Sequence, residues 1–262
     1  VIEVKVKNLL PGLQIRLRGG AYVKDQFCEA ENIDLENETC TVQVPAAATP
    51  GPAILEASLD GESWTEDGQE LRLYGPIEPE LMVPLASQAG GSTNYVTGSN
   101  LFNGSYLSVK LGDLVVPAKY SESKKAVAFQ IPPFNKEQMC PSSDTAAVRF
   151  SVDQKDWMSL ADMKFFEQIS VSDIKPNKSG KGAAPTPIAI SGSGFVESEH
   201  IFVKFVSDGD ESTRMEKGEF ASDSSINVTT PEGMSPGPCT IFVSNDGEEG
   251  DFMECPSKFA VA

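Results

Sequence analysis

A four-residue motif that recurs at a constant interval decides the fold. It reads Ser58-Leu59-Asp60-Gly61, then Ser151-Val152-Asp153-Gln154, then Ser244-Asn245-Asp246-Gly247. Successive copies start at residues 58, 151 and 244, so the period is 93 residues. Two further blocks recur in the same order at nearly the same spacing, at 13–17, 107–111 and 201–205 and at 4–10, 96–102 and 190–196. The chain is therefore a three-fold tandem repeat.

Each repeat carries the hydrophobic alternation of short β-strands. Leu107, Val109 and Leu111 alternate with polar residues, and a second alternating run stops at the Pro-Pro pair at 132–133. The Asp-Gly pairs at 60–61 and 246–247 are typical of hairpin turns. About seven short strands per repeat, without a long helical period, predict an all-β chain of three tandem immunoglobulin-like antiparallel β-sandwiches.

The repeats predict domains at 1–75, 76–167 and 168–262. The first repeat starts at the counterpart of Thr93, so we expect its sandwich to lack its N-terminal strand and the chain to be part of a longer array or assembly. An unusual, naturally short first sandwich is the alternative. The junctions at 74–76 and 166–169 contain no Gly/Ser-rich linker, which predicts touching neighbours and a semi-rigid rod.

The second and third repeats resemble a known module in their turn and strand motifs. The second contains Pro76-Ile77-Glu78-Pro79, Gly90-Gly91-Ser92 and Gly98 to Phe102, and the third contains Ile169 to Pro176, Gly180-Lys181-Gly182, Gly192 to Phe195 and the closing hairpin at 242–247. This order resembles the IPT/TIG domain, the immunoglobulin-like module of plexins and certain transcription factors. The resemblance implies a structural module and supplies no catalytic residue. Filamin-type repeats have the same size and general fold, and that alternative stays open.

Composition excludes several classes of partner. The chain has 38 acidic and 21 basic side chains and a formal net charge of −17, which argues against nucleic acid or an anionic membrane as the main partner. Arg16, Lys110 and Lys204 align across the repeats, but the total charge argues against a DNA-binding module. No apolar run approaches the roughly 18–20 residues of a membrane-inserted helix.

Candidate chemistry is sparse. His200 is the single histidine and is interpreted as a surface residue. One histidine argues against a His-based catalytic triad or a metal site with several histidine ligands. The glycine-rich turns lack the Gly-Lys-Ser/Thr ending of a phosphate loop. Acidic loops at 208–211 and 245–251 could offer oxygens to calcium but lack EF-hand spacing. We therefore predict no enzyme, and no catalytic, cofactor-binding or metal residue. Trp64 and Trp157 read as repeated packing residues, with Gly250 at that position in the third repeat.

Cysteines and glycosylation sequons bear on the compartment. Candidate disulfide pairs are Cys28 with Cys40, whose spacing resembles that of extracellular IPT/TIG domains, and Cys239 with Cys255 on either side of Gly247. Cys239 also fits a buried small hydrophobe, and the unpaired Cys140 favours a reducing compartment. Four sequons favour an exterior location, and their acceptors are Asn37, Asn103, Asn177 and Asn227. These indications conflict, so the compartment stays open.

The function that we favour is a non-catalytic structural and protein-binding rod, a segment of a larger cytoskeletal or axonemal scaffold. The alternative is an extracellular adhesion or receptor ectodomain built from the same domains. If binding follows filamin-like modules, a protein partner adds a strand to an exposed edge or uses interdomain surfaces. The candidate edge strands cover 107–111 and 114–118, with their counterparts one repeat away. Their candidate edge-strand residues are Leu107, Val109, Leu111 and Val115.

Overall fold

A computed structural model describes residues 1–47, 49–179 and 184–262. The predicted turn Gly180-Lys181-Gly182 lies outside the described residues. The chain folds into two compact units, Val1–Ile77 and Glu78–Ala262. We call 1–77 the first sandwich, and within the second unit we call 78–166 the second sandwich and 170–261 the third. The predicted domain boundaries at 75/76 and 167/168 stay predictions.

The first sandwich is built from six antiparallel strands. They are β1 (Ile2–Lys5), β2 (Gln14–Arg18), β3 (Gln26–Asp34), β4 (Thr39–Val42), β5 (Gly51–Ser58) and β6 (Gln69–Leu73). Their order is β1-β4-β3-β2-β5-β6, and the long β3 pairs with β2 through its first half and with β4 through its second. Ile15 and Leu17 on β2 are fully buried, while the residues between and beside them face outward. Period-two alternation therefore forms this core as predicted.

The second sandwich contains ten strands and one helical turn. They are β7 (Glu78–Leu81), β8 (Leu85–Ser87), β9 (Thr93–Ser99), β10 (Ser108–Leu111), β11 (Leu114–Ser121), β12 (Ala126–Gln130), α1 (Lys136–Met139), β13 (Thr145–Ala146), β14 (Val148–Ser151), β15 (Met158–Ser159) and β16 (Met163–Phe166). One sheet has the order β15-β14-β10-β11-β12-β9-β7, and the other has the order β13-β16-β8, in which β16 and β8 run parallel. Asn135 caps α1 by accepting hydrogen bonds from two backbone N–H groups.

The third sandwich follows the same plan. Its strands are β17 (Ser170–Lys175), β18 (Pro187–Ser193), β19 (Phe202–Ser207), β20 (Thr213–Lys217), β21 (Glu219–Ser222), β22 (Ser225–Thr229), β23 (Gly237–Ser244), β24 (Met253–Glu254) and β25 (Phe259–Val261). The sheets have the orders β17-β18-β22-β21 and β20-β19-β23-β24, and β25 pairs with the first part of β23. Its hydrophobic core includes Leu85 and Phe166 of the second sandwich. The prediction of an all-β chain of tandem immunoglobulin-like sandwiches is confirmed.

The second and third sandwiches each begin with an opening strand, β7 and β17, that packs closely on the next long strand. β7 pairs with β9 and β17 pairs with β18, and a Cβ on Gly98 or Gly192 would overlap the carbonyl oxygen of Glu78 or Ser170 on those opening strands. Glycine at these positions therefore permits the close approach of the two strands. The equivalent residue in the first sandwich is Val6, and there β1 stands at the end of its sheet.

The predicted partner edge strands at 107–111 and 114–118 are wrong, because both strands lie inside their sheet. β10 pairs with β14 on one side and β11 on the other, and β11 is enclosed by β10 and β12. Leu107, Val109 and Leu111 are buried core residues, whereas Val115 faces solvent on an interior strand. The counterparts β2 and β19 are also paired on both sides. Alternation alone could not reveal this, because a strand with one buried face has the same pattern at the centre of a sheet as at its edge.

Candidate functional site

The recurring motif forms a carboxylate-centred turn in every sandwich. The serine hydroxyl donates to the aspartate Oδ1 two residues on, over 2.9 Å at Asp60, 3.0 Å at Asp153 and 2.8 Å at Asp246. In the first two copies the same oxygen also accepts from two backbone N–H groups further along the turn. These hydrogen bonds hold the pKa of Asp60 and of Asp153 below the usual aspartate range.

The third copy occupies a different environment, because its turn packs against the second sandwich. Asp246 is 7% exposed, and a Cβ on the neighbouring Gly247 would lie 3.4 Å from the Val83 side chain. Gly247 also donates its backbone N–H to the carbonyl of His200 over 2.9 Å. Asn245, fully buried in the same turn, donates its side-chain amide to the carbonyl of Gly194 over 2.9 Å. We call residues 245–251 the junction hairpin.

Burial changes the chemistry of Asp246. Its Oδ1 accepts from the Ser244 hydroxyl and from the backbone N–H of Asp251, over 2.8 and 2.9 Å. Its Oδ2 is the one buried side-chain nitrogen or oxygen, across the described ranges, that has no hydrogen-bond partner. Desolvation by burial raises the pKa of Asp246, which is opposite to the direction at Asp60 and Asp153. One sequence motif therefore gives two exposed carboxylates and one buried carboxyl that favours its proton.

Glu249 connects the junction hairpin to the second sandwich. Its Oε1 lies 2.6 Å from Lys124 Nζ, and its Oε2 accepts a short hydrogen bond from the Tyr95 hydroxyl. Both contacts lower the pKa of Glu249, and the ion pair raises the pKa of Lys124. Burial, followed by the Glu249 hydrogen bond, raises the pKa of Tyr95 to about 12. Because the Lys124 and Glu249 side chains are 47% and 40% exposed, the pair contributes about 0.2–1 kcal/mol.

A cavity of about 290 Å³ lies where the second and third sandwiches meet. It is lined by Met82, Val83, Thr93, Tyr95 and Lys124 of the second sandwich and by Glu199, His200, Phe202, Lys217 and 246–249 of the third. His200 is half-buried, and desolvation lowers its pKa, which favours the neutral imidazole. Across the described ranges, no group of three or more His, Cys, Asp or Glu side chains is arranged to hold a metal ion.

The aligned basic residues have a packing role. Arg16 stacks 4.3 Å from the Trp64 ring, Lys110 Nζ lies 6.0 Å from Trp157, and Lys204 Nζ lies 4.2 Å from the Phe252 ring. Each repeat therefore places a cation over an aromatic ring beside its recurring turn motif. Gly250 occupies the position in the third repeat that corresponds to Trp64 and Trp157. In the third sandwich the ring beside Lys204 therefore comes from Phe252.

The five cysteines are free in the structure. Cys28 pairs in register with Ile15 and Cys40 with Val4, so the predicted Cys28–Cys40 bridge does not form. Cys239 and Cys255 both lie in the core of the third sandwich without a bridge. Burial raises the pKa of all five thiols, that of Cys239 to about 11. Cys140, which the sequence predicted to be unpaired, is 5% exposed.

The sequon asparagines are all exposed. Asn37, Asn103 and Asn177 occupy turns or loops, and Asn227 lies on β22 with its side chain facing outward. The Asn37 amide donates to Asp34 over 2.7 Å.

The acidic loop at 208–211 is engaged internally. Asp208 accepts from the Thr240 hydroxyl over 2.8 Å, and Asp210 accepts from the Ser235 hydroxyl over 2.6 Å. These carboxylates are therefore tied to protein donors within their own sandwich.

Sequence reasoning missed Tyr95, Lys124 and Glu249 as junction residues. These residues have no distinctive local pattern, since Glu249 belongs to an acidic run and Lys124 to a polar turn. One signal was present: the third repeat replaces the tryptophan of the other two by Gly250. A Cβ at this position would overlap Asp246 Oδ1. The inward position of Asp246 therefore excludes a side chain there.

One family model and several solved structures match parts of this chain. The IPT/TIG domain family model matches residues 170–260. The structure of the plexin A4 full extracellular region is similar at 14% identity and a TM-score of 0.42, covering 99% of this chain and 27% of that chain. A tetra-tandem repeat from the extending region of a large adhesion protein is 9% identical, with a TM-score of 0.30. The match covers 99% of this chain and 69% of that chain.

The FN1–FN3 domains of chicken CNTN1 are 12% identical, with coverage of 93% and 87% and a TM-score of 0.32. This chain spans about a quarter of the length of the plexin A4 structure. The search of curated protein sequences gives no match. Among the described helices, none is long and apolar enough to cross a membrane. The chain is an array of tandem immunoglobulin-like repeats in which residues 170–260 match the IPT/TIG domain family model.

Proposed function

We propose that this chain is a non-catalytic, protein-binding spacer whose second and third sandwiches are held in a fixed relation. The observation that carries the proposal is the docked junction hairpin. Gly247 packs on Val83, Glu249 contacts Tyr95 and Lys124, and the core of the third sandwich includes Leu85 of the second. A hydrophobic contact reinforced by polar links restrains rotation between domains more than a flexible linker would.

Protein partners are the ligands that this architecture suits. Strand addition is available at the ends of the sheets, such as β21 or β6, because strands there leave backbone groups unpaired by a neighbour. β20 is a poorer acceptor since Arg214, Glu216 and Lys217 place charges along it. The interior strand β10 is not proposed as a binding edge.

Backbone ¹⁵N relaxation on the full chain tests the fixed relation. We expect amides of the second and third sandwiches to report one common rotational correlation time. Glu249→Ala together with Lys124→Ala should increase the independent motion of the third sandwich, while Lys110→Ala, on the same second sandwich but outside the junction, should not. Distinct correlation times for the two sandwiches in the unmodified chain would refute the proposal.

A second candidate function is an extracellular adhesion or receptor ectodomain. The observation that favours it is the exposure of Asn37, Asn103, Asn177 and Asn227, which leaves each acceptor accessible to a glycan. The cytoskeletal or axonemal scaffold remains the competing assignment.

Intact mass of the protein from its native source separates the two locations. The measurement uses thiol alkylation under denaturing conditions, with and without glycosidase. Glycan mass that the glycosidase removes supports the ectodomain. An unmodified mass with five alkylated thiols supports the intracellular scaffold and rejects the ectodomain.

A further inference from the structure

The junction hairpin contains a buried carboxyl that the other two repeats leave in solvent. Asp246 is 7% exposed and its Oδ2 has no partner within the described residues, although Oδ1 makes the same serine contact as Asp60 and Asp153. A buried ionised carboxylate with an unpaired oxygen is costly, whereas the neutral acid costs much less. Docking contributes to this difference, since Val83 and Ser92 of the second sandwich lie beside the hairpin.

We propose that Asp246 is a protonation-dependent latch of the junction: the docked hairpin holds the neutral carboxyl, and loss of its proton loosens the third sandwich from the second. This inference rests on the proposed function, because it concerns the regulation of the same junction. The two exposed copies of the motif, at Asp60 and Asp153, provide internal controls. Their carboxylates are satisfied by turn N–H groups and need no proton.

Other charged groups around Asp246 do not neutralise it. From the second sandwich, the Ser92 hydroxyl acts on the Asp246 carboxyl as a hydrogen-bond donor and lowers its pKa, but desolvation by burial is the larger effect. Lys124 of the second sandwich is paired with Glu249. From the hairpin itself, Asp251 raises the pKa of Asp246 further. Titratable residues elsewhere in the cavity lining are Glu248, Glu199, Lys217 and His200. Lys217 lies 4.0 Å from Glu199, so the cations nearest the cavity already have acidic partners.

The sign of the pH effect follows from the direction of the shift. Burial raises the pKa of Asp246, so its contribution to docking is fully present below the ordinary aspartate pKa and is lost as pH rises through the raised value. Across that window the docking equilibrium constant falls by at most about tenfold per pH unit. Burial lowers the pKa of His200, so acidification acts through His200 in the opposite direction.

NMR on the full chain measures both the protonation of Asp246 and the contact between the junction hairpin and the second sandwich. The ¹³Cγ shift of Asp246 follows its protonation, and the Val83 methyl shifts report contact with the hairpin, between about pH 4 and about pH 8. We expect the Asp246 carboxyl to titrate above the ordinary aspartate range and the Val83 signals to change with the same midpoint. Asp246→Asn, which mimics the neutral acid, should abolish the Val83 transition and keep the docked shift throughout.

Two further variants control the experiment. Asp153→Asn alters the exposed equivalent carboxylate and should leave the Val83 transition unchanged. His200→Gln should also preserve that transition. Titration of His200 changes docking in the direction opposite to Asp246, so it cannot be the source of a loss of docking as pH rises. An Asp246 carboxyl that titrates at the ordinary aspartate value overturns the inference, and so does a Val83 transition that persists in Asp246→Asn. If Asp246→Asn does not fold, the titration of Asp246 in the unmodified chain still tests the inference.

Failure of the latch differs from failure of the proposed function. If the Val83 methyls show the docked shift at every pH without a transition, the junction is fixed and only the latch is rejected. If they show no hairpin contact at any pH, the fixed relation itself is rejected.

Discussion

Replacing Gly250 by alanine should destabilise the unit Glu78–Ala262 by about 2–4 kcal/mol. The added Cβ would overlap Asp246 Oδ1 and lie 2.5 Å from Ser244 Oγ, in a turn that cannot move freely because it is packed against Val83. Overpacking of this kind costs about 1–3 kcal/mol. Displacing Oδ1 also weakens its hydrogen bonds from Ser244 and Asp251, each of which contributes about 1 kcal/mol.

Native-state hydrogen exchange of β23 amides in the full chain measures this effect, because these amides lie in the centre of the third sandwich. Gly209→Ala is the matched control, since a Cβ at Gly209 meets no atom within 4 Å. We expect the opening free energy to fall in Gly250→Ala and to stay within about 0.5 kcal/mol in Gly209→Ala. Equal values for the two variants would show that Asp246 does not fill the space at Gly250.

Three other outcomes can be measured on the same chain. Gly98→Ala should destabilise by about 1–3 kcal/mol more than Gly91→Ala in chemical denaturation, because both have positive φ but only Gly98 faces a neighbouring carbonyl. Similar losses would contradict this reason. A double-mutant cycle on Lys124 and Glu249 should give a coupling of about 0.2–1 kcal/mol that decreases with added salt; a salt-independent coupling would be inconsistent with a half-exposed pair. Cys239, whose pKa burial raises to about 11, should resist iodoacetamide in the native chain and react after denaturation, as read by peptide mass mapping. Native labelling at Cys239 would disprove its burial.

Local patterns were sufficient for the repeat and for the strands. The three motif copies and the alternation at Leu107, Val109 and Leu111 identify strands and their buried faces, because both depend on period-two geometry and turn chemistry alone. The alignment of Arg16, Lys110 and Lys204 was also visible in the sequence. Its role was not, because the ring under Lys204 belongs to Phe252 and not to the register position of the tryptophans.

The order of strands within a sheet was not accessible from the same patterns. The sequence suggested an exposed edge at 107–111, but β10 lies between β11 and β14. A central strand and an edge strand with one buried face have equal alternation, so the difference lies in pairing between residues about 40 positions apart, such as Val109 and Phe150. The cysteine pairing failed for a related reason, since strand register and not sequence spacing sets which side chains face each other.

The amino-acid sequence by itself determined the three-fold period, the all-β class and the hairpin turns, since repetition, alternation and turn residues can all be read from local sequence. Tertiary structure alone decided what the turn does. Asp60, Asp153 and Asp246 each follow a serine two residues earlier, yet Asp246 is buried beside the second sandwich while the other two are hydrogen-bonded turn carboxylates in solvent. The cost of ionising a carboxyl depends on the dielectric and hydrogen-bond donors around it, and those are supplied by residues distant in the chain.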